Sequence, residues 1–189
     1  WGANSHRPSP PAEVLQRRYG DCKDKTTLLI ALLRELDIDA WPALVNTRSR
    51  DHIAPWLPSP GAFNHVVVMT ELNGERYWLD GTQLYQRGTI ARLYYPPFGK
   101  ALVGGRGESR LVEVEVPAGY AYGVRVQEVW TAATWESPVE LEITTQYFGD
   151  AANYLRSRLS QTPRSRLQRE YLNYYAKVHP SIGVAEPLR

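Results

Sequence analysis

The stretch "FNHVVVMTELNGERYWLDGT", Phe63 to Thr82, restricts this chain more than any other. Two runs rich in β-branched and aromatic residues flank Asn73-Gly74, a pair suited to a two-residue hairpin turn because both of its central positions need positive φ. Such a turn sets Leu72 opposite Glu75, and the pairing runs back residue by residue to Val67 opposite Asp80 and His65 opposite Thr82. Facing residues share one side of a sheet and sides alternate along a strand, so His65, Val67 and Asp80 project the same way. His65 and Asp80 become diagonal neighbours with Cβ atoms about 7–8 Å apart, a gap that an imidazole and a carboxylate close with a hydrogen bond.

The second constraint is "RRYGDCKDKTTLLIALLREL", Arg17 to Leu36, which holds the single cysteine of the chain. A brief helix over 12–18 ends before Gly20, and Asp21 suits the N-cap of the next helix. In that helix Leu28, Leu29, Ile30, Leu32, Leu33 and Leu36 cover most of the circumference, which predicts a buried central helix. Its period lines Cys22 up with Leu29, Leu33 and Leu36, so the thiol sits at the N-terminal end of the inner face. Unsatisfied N–H groups and the positive end of the helix dipole favour thiolate there and offer a place for an oxyanion.

If this helix packs on the face that carries His65 and Asp80, the three side chains form a nucleophile, a base and an acid that orients the base. Taken singly, each residue has an ordinary structural explanation. Cys22 serves as a small core hydrophobe, His65 as a core histidine bonded to Thr82 or Asp80, and Asp80 as a cap on the turn at Gly81. Their joint placement is what points to chemistry.

Elsewhere, "AWPALVNT" reads as a short strand, "RSRDHIAPWLPSPG" as a proline-rich surface loop, and Tyr94-Tyr95-Pro96-Pro97-Phe98 as inter-strand packing in preference to a cleft wall. From about Ser109 the runs "LVEVEV", "YGVRVQEVW" and "VELEITTQY" alternate apolar and polar residues, as half-solvated antiparallel strands do. Helices follow over 150–160 and 162–177, the second with Thr162 at N-cap, Pro163 at N1 and an inner stripe of Leu167, Tyr171, Tyr174 or Tyr175, and Val178. The expected organisation is an α+β core over 1–108 and a β-rich segment with two C-terminal helices over 109–189.

In 189 residues with 43% hydrophobic and 22% charged side chains there is enough apolar material for a real core, and no apolar run has bilayer-spanning length. A net charge of +2 gives no field that calls for nucleic acid or a lipid surface. The arginines at 156, 158, 164, 166 and 169 leave two readings, a nucleic-acid surface and a solvated helical face, and the second explains them as well as the first. One cysteine excludes an intrachain disulfide and a multi-cysteine zinc site. His52 with Asp51 beside His65 lacks the spacing of a metal motif, and "GGRG" at 104–107 lacks the Lys-Ser/Thr and helix of a phosphate loop. No metal or cofactor is therefore expected. The chain opens at Trp1 without a methionine or signal region, as a processed protein or excised fragment does.

"GDCKDK" opening a helix, then "FNHVVV", then "YWLDGT", in this order, resembles the bacterial transglutaminase-like superfamily, above all its multidomain members, over about residues 4–111. The resemblance implies a papain-like core with Cys22 as nucleophile, His65 as general base and acid, and Asp80 as its orienting residue. It also implies an upstream strand-rich domain, a cell-envelope or periplasmic setting, and a second oxyanion donor upstream of the cysteine, for which Tyr19, Trp1, Asn4 and Ser5 are the candidates. Asp37 stands where many relatives have a helix-ending glycine, Asn64 where an acidic residue often precedes the histidine, and Gly81 where proline is common. The expected function is attack of Cys22 on an amide of a peptide or protein substrate through a thioester, with hydrolysis favoured over cross-linking. The competing expectation is a non-catalytic peptide- or protein-binding module of a larger envelope protein.

Overall fold

Asn73 and Gly74 take positive φ, 54° and 81°, and the hairpin forms in the register that this turn dictates. Strand β2, His65–Leu72, pairs with β3, Glu75–Leu79, from Leu72 opposite Glu75 to Val68 opposite Leu79. The computed structural model describes residues 7–107, 109–116 and 123–189, which fall in two units, Trp1–Tyr120 and Ala121–Arg189.

In the first unit, helices α1, Pro11–Arg17, and α2, Cys22–Arg34, precede β1, Ala40–Val45. After the hairpin come β4, Gly99–Val103, and β5, Val112–Val114, giving an antiparallel sheet of order β3-β2-β1-β4-β5. The fold is α+β, as expected. The sheet continues past residue 108, where the change of sequence texture suggests a new unit, because β5 pairs with β4 from Ala101 opposite Val112 to Gly99 opposite Val114. Its alternation is that of an edge strand, with Val114 buried and Glu113 exposed. Pro42 fits the central strand β1 because its carbonyl, and with it its N–H-less nitrogen, faces the β4 side just beyond the β1–β4 ladder, where Gly104 N–H donates to Pro42 O at 2.8 Å.

Both faces of β2 are buried, Val66 through Thr70 being at most 7% exposed. On one face Val67 and Met69 join Ala43, Val45, Trp78, Phe98 and Val103 in the main core. On the other, Val68 and Ala40 meet Ile30, with Leu29, Leu33 and Leu79 around them. Tyr95 and Phe98 are packing residues of the main core, 8% and 1% exposed.

Helix α2 is less buried than its composition predicts. It rests on a single layer, so Leu29, Ile30 and Leu33 take the sheet while Leu32 and Leu36 are 46% and 70% exposed. The helix ends in a Schellman arrangement, Ile38 N–H reaching Leu33 O and Asp37 N–H reaching Arg34 O, with Asp37 at φ 57°. Glycine at that position relieves the left-handed strain on a side chain that makes no compensating bond among the described residues. Asp37→Gly is expected to stabilise the first unit by about 1 kcal/mol, read as a higher urea midpoint; an unchanged or lower midpoint would contradict it.

In the second unit β6, Gly123–Thr131, and β7, Glu140–Phe148, form a hairpin followed by α3, Gly149–Gln161, and α4, Arg164–Ala176. Thr162 ends α3 in extended conformation, so the N-cap of α4 is Pro163, one residue later than the sequence suggests. Leu167 is buried, Tyr171 bonds to Tyr147 and Tyr175 to Glu128, whereas Tyr174 and Val178 are exposed. Glu170 meets both Arg158 and Arg166. Among the described residues no helix is long and apolar enough to cross a membrane.

Candidate active site

Three chain segments meet where β2 begins. The first is the start of α2. Asp21 caps it, accepting from the N–H groups of Lys23 at 2.9 Å and Asp24 at 3.2 Å, while Asp24 reciprocates to Asp21 N–H. Burial works against the charge on Asp21, but the Lys23 ammonium and these N–H donors hold its carboxyl below the ordinary value. Asp24, 7% exposed, also accepts from Ser9 N–H at 2.7 Å and Arg17 at 2.5 Å, fastening the segment before α2 across its first turn. Gly20 is required by this closeness, since a Cβ there would lie 2.6 Å from that of Asp24. With Lys23, Asp24 and Lys25 N–H groups satisfied by Asp21, the N–H of Cys22 is left without a partner among the described residues.

The second segment is the first residue of β2. His65 Nε2 lies 2.9 Å from Asp80 Oδ2, the diagonal contact that the hairpin register implies. The third follows β3. The Asp80 side chain is 2% exposed, and its Oδ1 accepts from the N–H and hydroxyl of Thr82 at 2.9 and 2.6 Å. Burial opposes ionisation of Asp80, yet the bonds from His65 and Thr82 outweigh it and hold the carboxyl below its usual 3.8. An ionised carboxylate only accepts, so Nε2 of His65 carries the proton of this bond, and Nδ1 is the ring nitrogen outside it.

Cys22 comes to this place along a different route from the one the sequence suggests. Helix α2 packs on the Val68 and Leu79 face, opposite the face of Val67 and His65. It runs alongside β2 in the same direction, with Thr26 Oγ1 donating to Val66 O at 3.1 Å and Arg34 to Ala40 O at 2.8 Å, near Thr70. Cys22 lies one turn before Thr26 on the same stripe, roughly 6 Å further along the axis. That distance carries it to the end of β2, where His65 is the first residue. Gly81 closes the corner, packed so tightly on α2 that a Cβ there would meet that of Lys25 at 3.3 Å. The structure thus joins His65 and Asp80 directly and sets half-exposed Cys22 at the same end of the sheet, with no hydrogen bond between its sulfur and the imidazole.

The proline-rich loop enters the site at His65. Buried Asn46 ties its two ends, accepting from the N–H groups of Arg48 and Ser49 and donating to Ala62 O at 2.8 Å, while Asn64 accepts from Thr47 N–H at 2.9 Å. This clasp was not read from the sequence; an asparagine on each side of the loop was its only sign. Asn64 is thereby given to loop closure. His52 is exposed, and no group of three or more His, Cys, Asp or Glu is gathered for a metal among the described residues. Of the upstream oxyanion candidates, Tyr19 is 67% exposed, and Trp1, Asn4 and Ser5 lie outside the described residues.

No curated protein and no solved structure matches the chain. A family model does match, described as the transglutaminase-like superfamily and covering residues 2–80, a stretch that contains Cys22, His65 and Asp80. Residues 2–80, from the segment before α1 to the aspartate that closes the hairpin, belong to the transglutaminase-like superfamily, which includes cysteine enzymes.

Proposed function

We propose that the chain is a cysteine enzyme that opens amide bonds through a thioester. The Cys22 sulfur attacks the carbonyl carbon, its own backbone N–H holds the resulting oxyanion, and His65 Nδ1 takes the thiol proton and returns it to the departing amine. Asp80 holds the ring in the tautomer this requires. Water then resolves the thioester, making the enzyme a peptidase or amidase; transfer to a second amine would need a further substrate site.

The observation that carries this reading is the buried His65–Asp80 bond at the end of the sheet where α2 begins. The Cys22 N–H, without a partner among the described residues, adds the oxyanion donor. Catalytic hydrogen bonds commonly tighten only around substrate, so an open thiol–imidazole gap is compatible with the role. The test is mass spectrometry after exposure to peptide, glutamine and ester libraries. Acyl adducts are expected on Cys22 and absent from Cys22→Ala. A protein that binds peptides yet gains no adduct from any library is a binding module instead.

A further inference from the structure

We propose that Lys25 is a specificity-determining residue of this site, holding a carboxylate that the substrate carries beside the amide under attack. The inference rests on the cysteine-enzyme reading and names the substrate class it favours.

Lys25 follows Cys22 by three positions, which makes the two neighbours on the helix surface. Its stem lies against Gly81, directly after Asp80. Side chains on a helix lean toward its N-terminus, so the four-carbon stem carries the ammonium back over the turn of Cys22 and out past the end of the sheet.

The charges around it are already matched. Asp21 is paired with Lys23 at 2.5 Å, Asp24 with Arg17 at 2.5 Å and with Ser9 N–H, and Asp80 with His65 and Thr82. Lys25 is half-buried and has neither an ion pair nor a side-chain hydrogen bond among the described residues. A cation beside the nucleophile, with every nearby carboxylate engaged elsewhere, is placed to receive an anion from outside. The reach of one lysine limits that anion to a group next to the scissile bond, either an acidic side chain or a free chain terminus.

Two small alkylating probes test this without requiring turnover. Iodoacetate and iodoacetamide react identically: the sulfur of Cys22 bonds to the CH₂ carbon, the C–I bond breaks and iodide leaves. They differ in the carboxylate. Any general effect of Lys25 on the thiol cancels in the ratio of the two rates, leaving only attraction for the anion. Lys25→Met is expected to lower the iodoacetate rate relative to the iodoacetamide rate on the order of fivefold at low salt. Lys25→Arg is expected to keep the ratio, and added salt to shrink it in the wild type.

A ratio equal in wild type and Lys25→Met overturns the role of Lys25 and leaves the enzyme reading standing. Should Lys25→Met not fold, a wild-type ratio that matches free cysteine and ignores salt overturns it equally well. A thiol that neither reagent reaches overturns both readings. Where peptides acylate the enzyme, pairs with free or amidated C-termini, and with Glu or Gln beside the cleaved bond, separate the two carboxylate sources. Indifference to both changes also refutes the proposal.

Discussion

Alanine in place of His65 is expected to cut cleavage of the amide almost as far as loss of the Cys22 sulfur itself, on the order of 10⁶-fold. The two groups act as one unit. Without a base the thiol is a poor nucleophile at neutral pH, and without a proton donor the amine cannot leave, so removing either partner ends the same reaction. The comparison should be made in the rate of amine release from the best amide substrate, using His65→Ala, Cys22→Ala and the double variant. The double variant should be no worse than Cys22→Ala. Because the His65 side chain is 14% exposed and opens β2 rather than filling its centre, the fold should persist, as far-ultraviolet circular dichroism will report. Alkylation of Cys22 by iodoacetamide supplies a second readout, expected to slow in His65→Ala. If alkylation and amide cleavage both proceed at wild-type rates without the imidazole, His65 has no part in the chemistry and the binding-module reading gains.

The part of this arrangement visible in the sequence is the part governed by local rules. Asn73-Gly74 dictates a turn, the turn dictates register, and register alone places His65 beside Asp80. Asp21 at the N-cap likewise marks the start of α2 at Cys22, and the structure adds Asp24 at N3 to complete a capping box. Asp37 takes the left-handed conformation that its place at the end of α2 demands.

What escaped a sequence reading depends on which layers meet. The face chosen by α2 is decided by a competition between two apolar sides of β2, and alternation cannot rank them when both are apolar. Val66-Val67-Val68-Met69 is an unbroken apolar run, the mark of a strand covered on both sides, and it was the available warning that α2 need not lie on the His65 face. The overestimated burial of α2 has a related cause. A helix apolar around most of its circumference needs neighbours on most sides, and here the sheet supplies only one. The edge strand β5 was misassigned to the later segment because solvated alternation is common to edge strands and to half-exposed hairpins.

Substitution of Asp80 should separate its two duties, orienting His65 and satisfying buried donors. Asp80→Asn preserves shape and one acceptor, but its amide also donates, allowing the ring to take the tautomer whose Nδ1 bears the proton and cannot serve as base. Acylation is expected to fall about 10⁴-fold, with a smaller loss of stability. Asp80→Ala removes the acceptor for His65 Nε2–H and for both donors of Thr82 in a place where the carboxylate is 2% exposed, and should cost about 3 kcal/mol of stability. The pH dependence follows from the direction of the shift. Asp80 is held below its usual 3.8 in the folded chain, so its contribution is fully present above that value and is lost as pH falls through the lower, folded one. The stability gap between wild type and Asp80→Asn, measured from urea midpoints, should therefore close as the solution is acidified below 3.8. A gap that stays constant to the acid limit would mean that Asp80 is not the ionised acceptor on which the orientation of His65, and with it the proposed chemistry, depends.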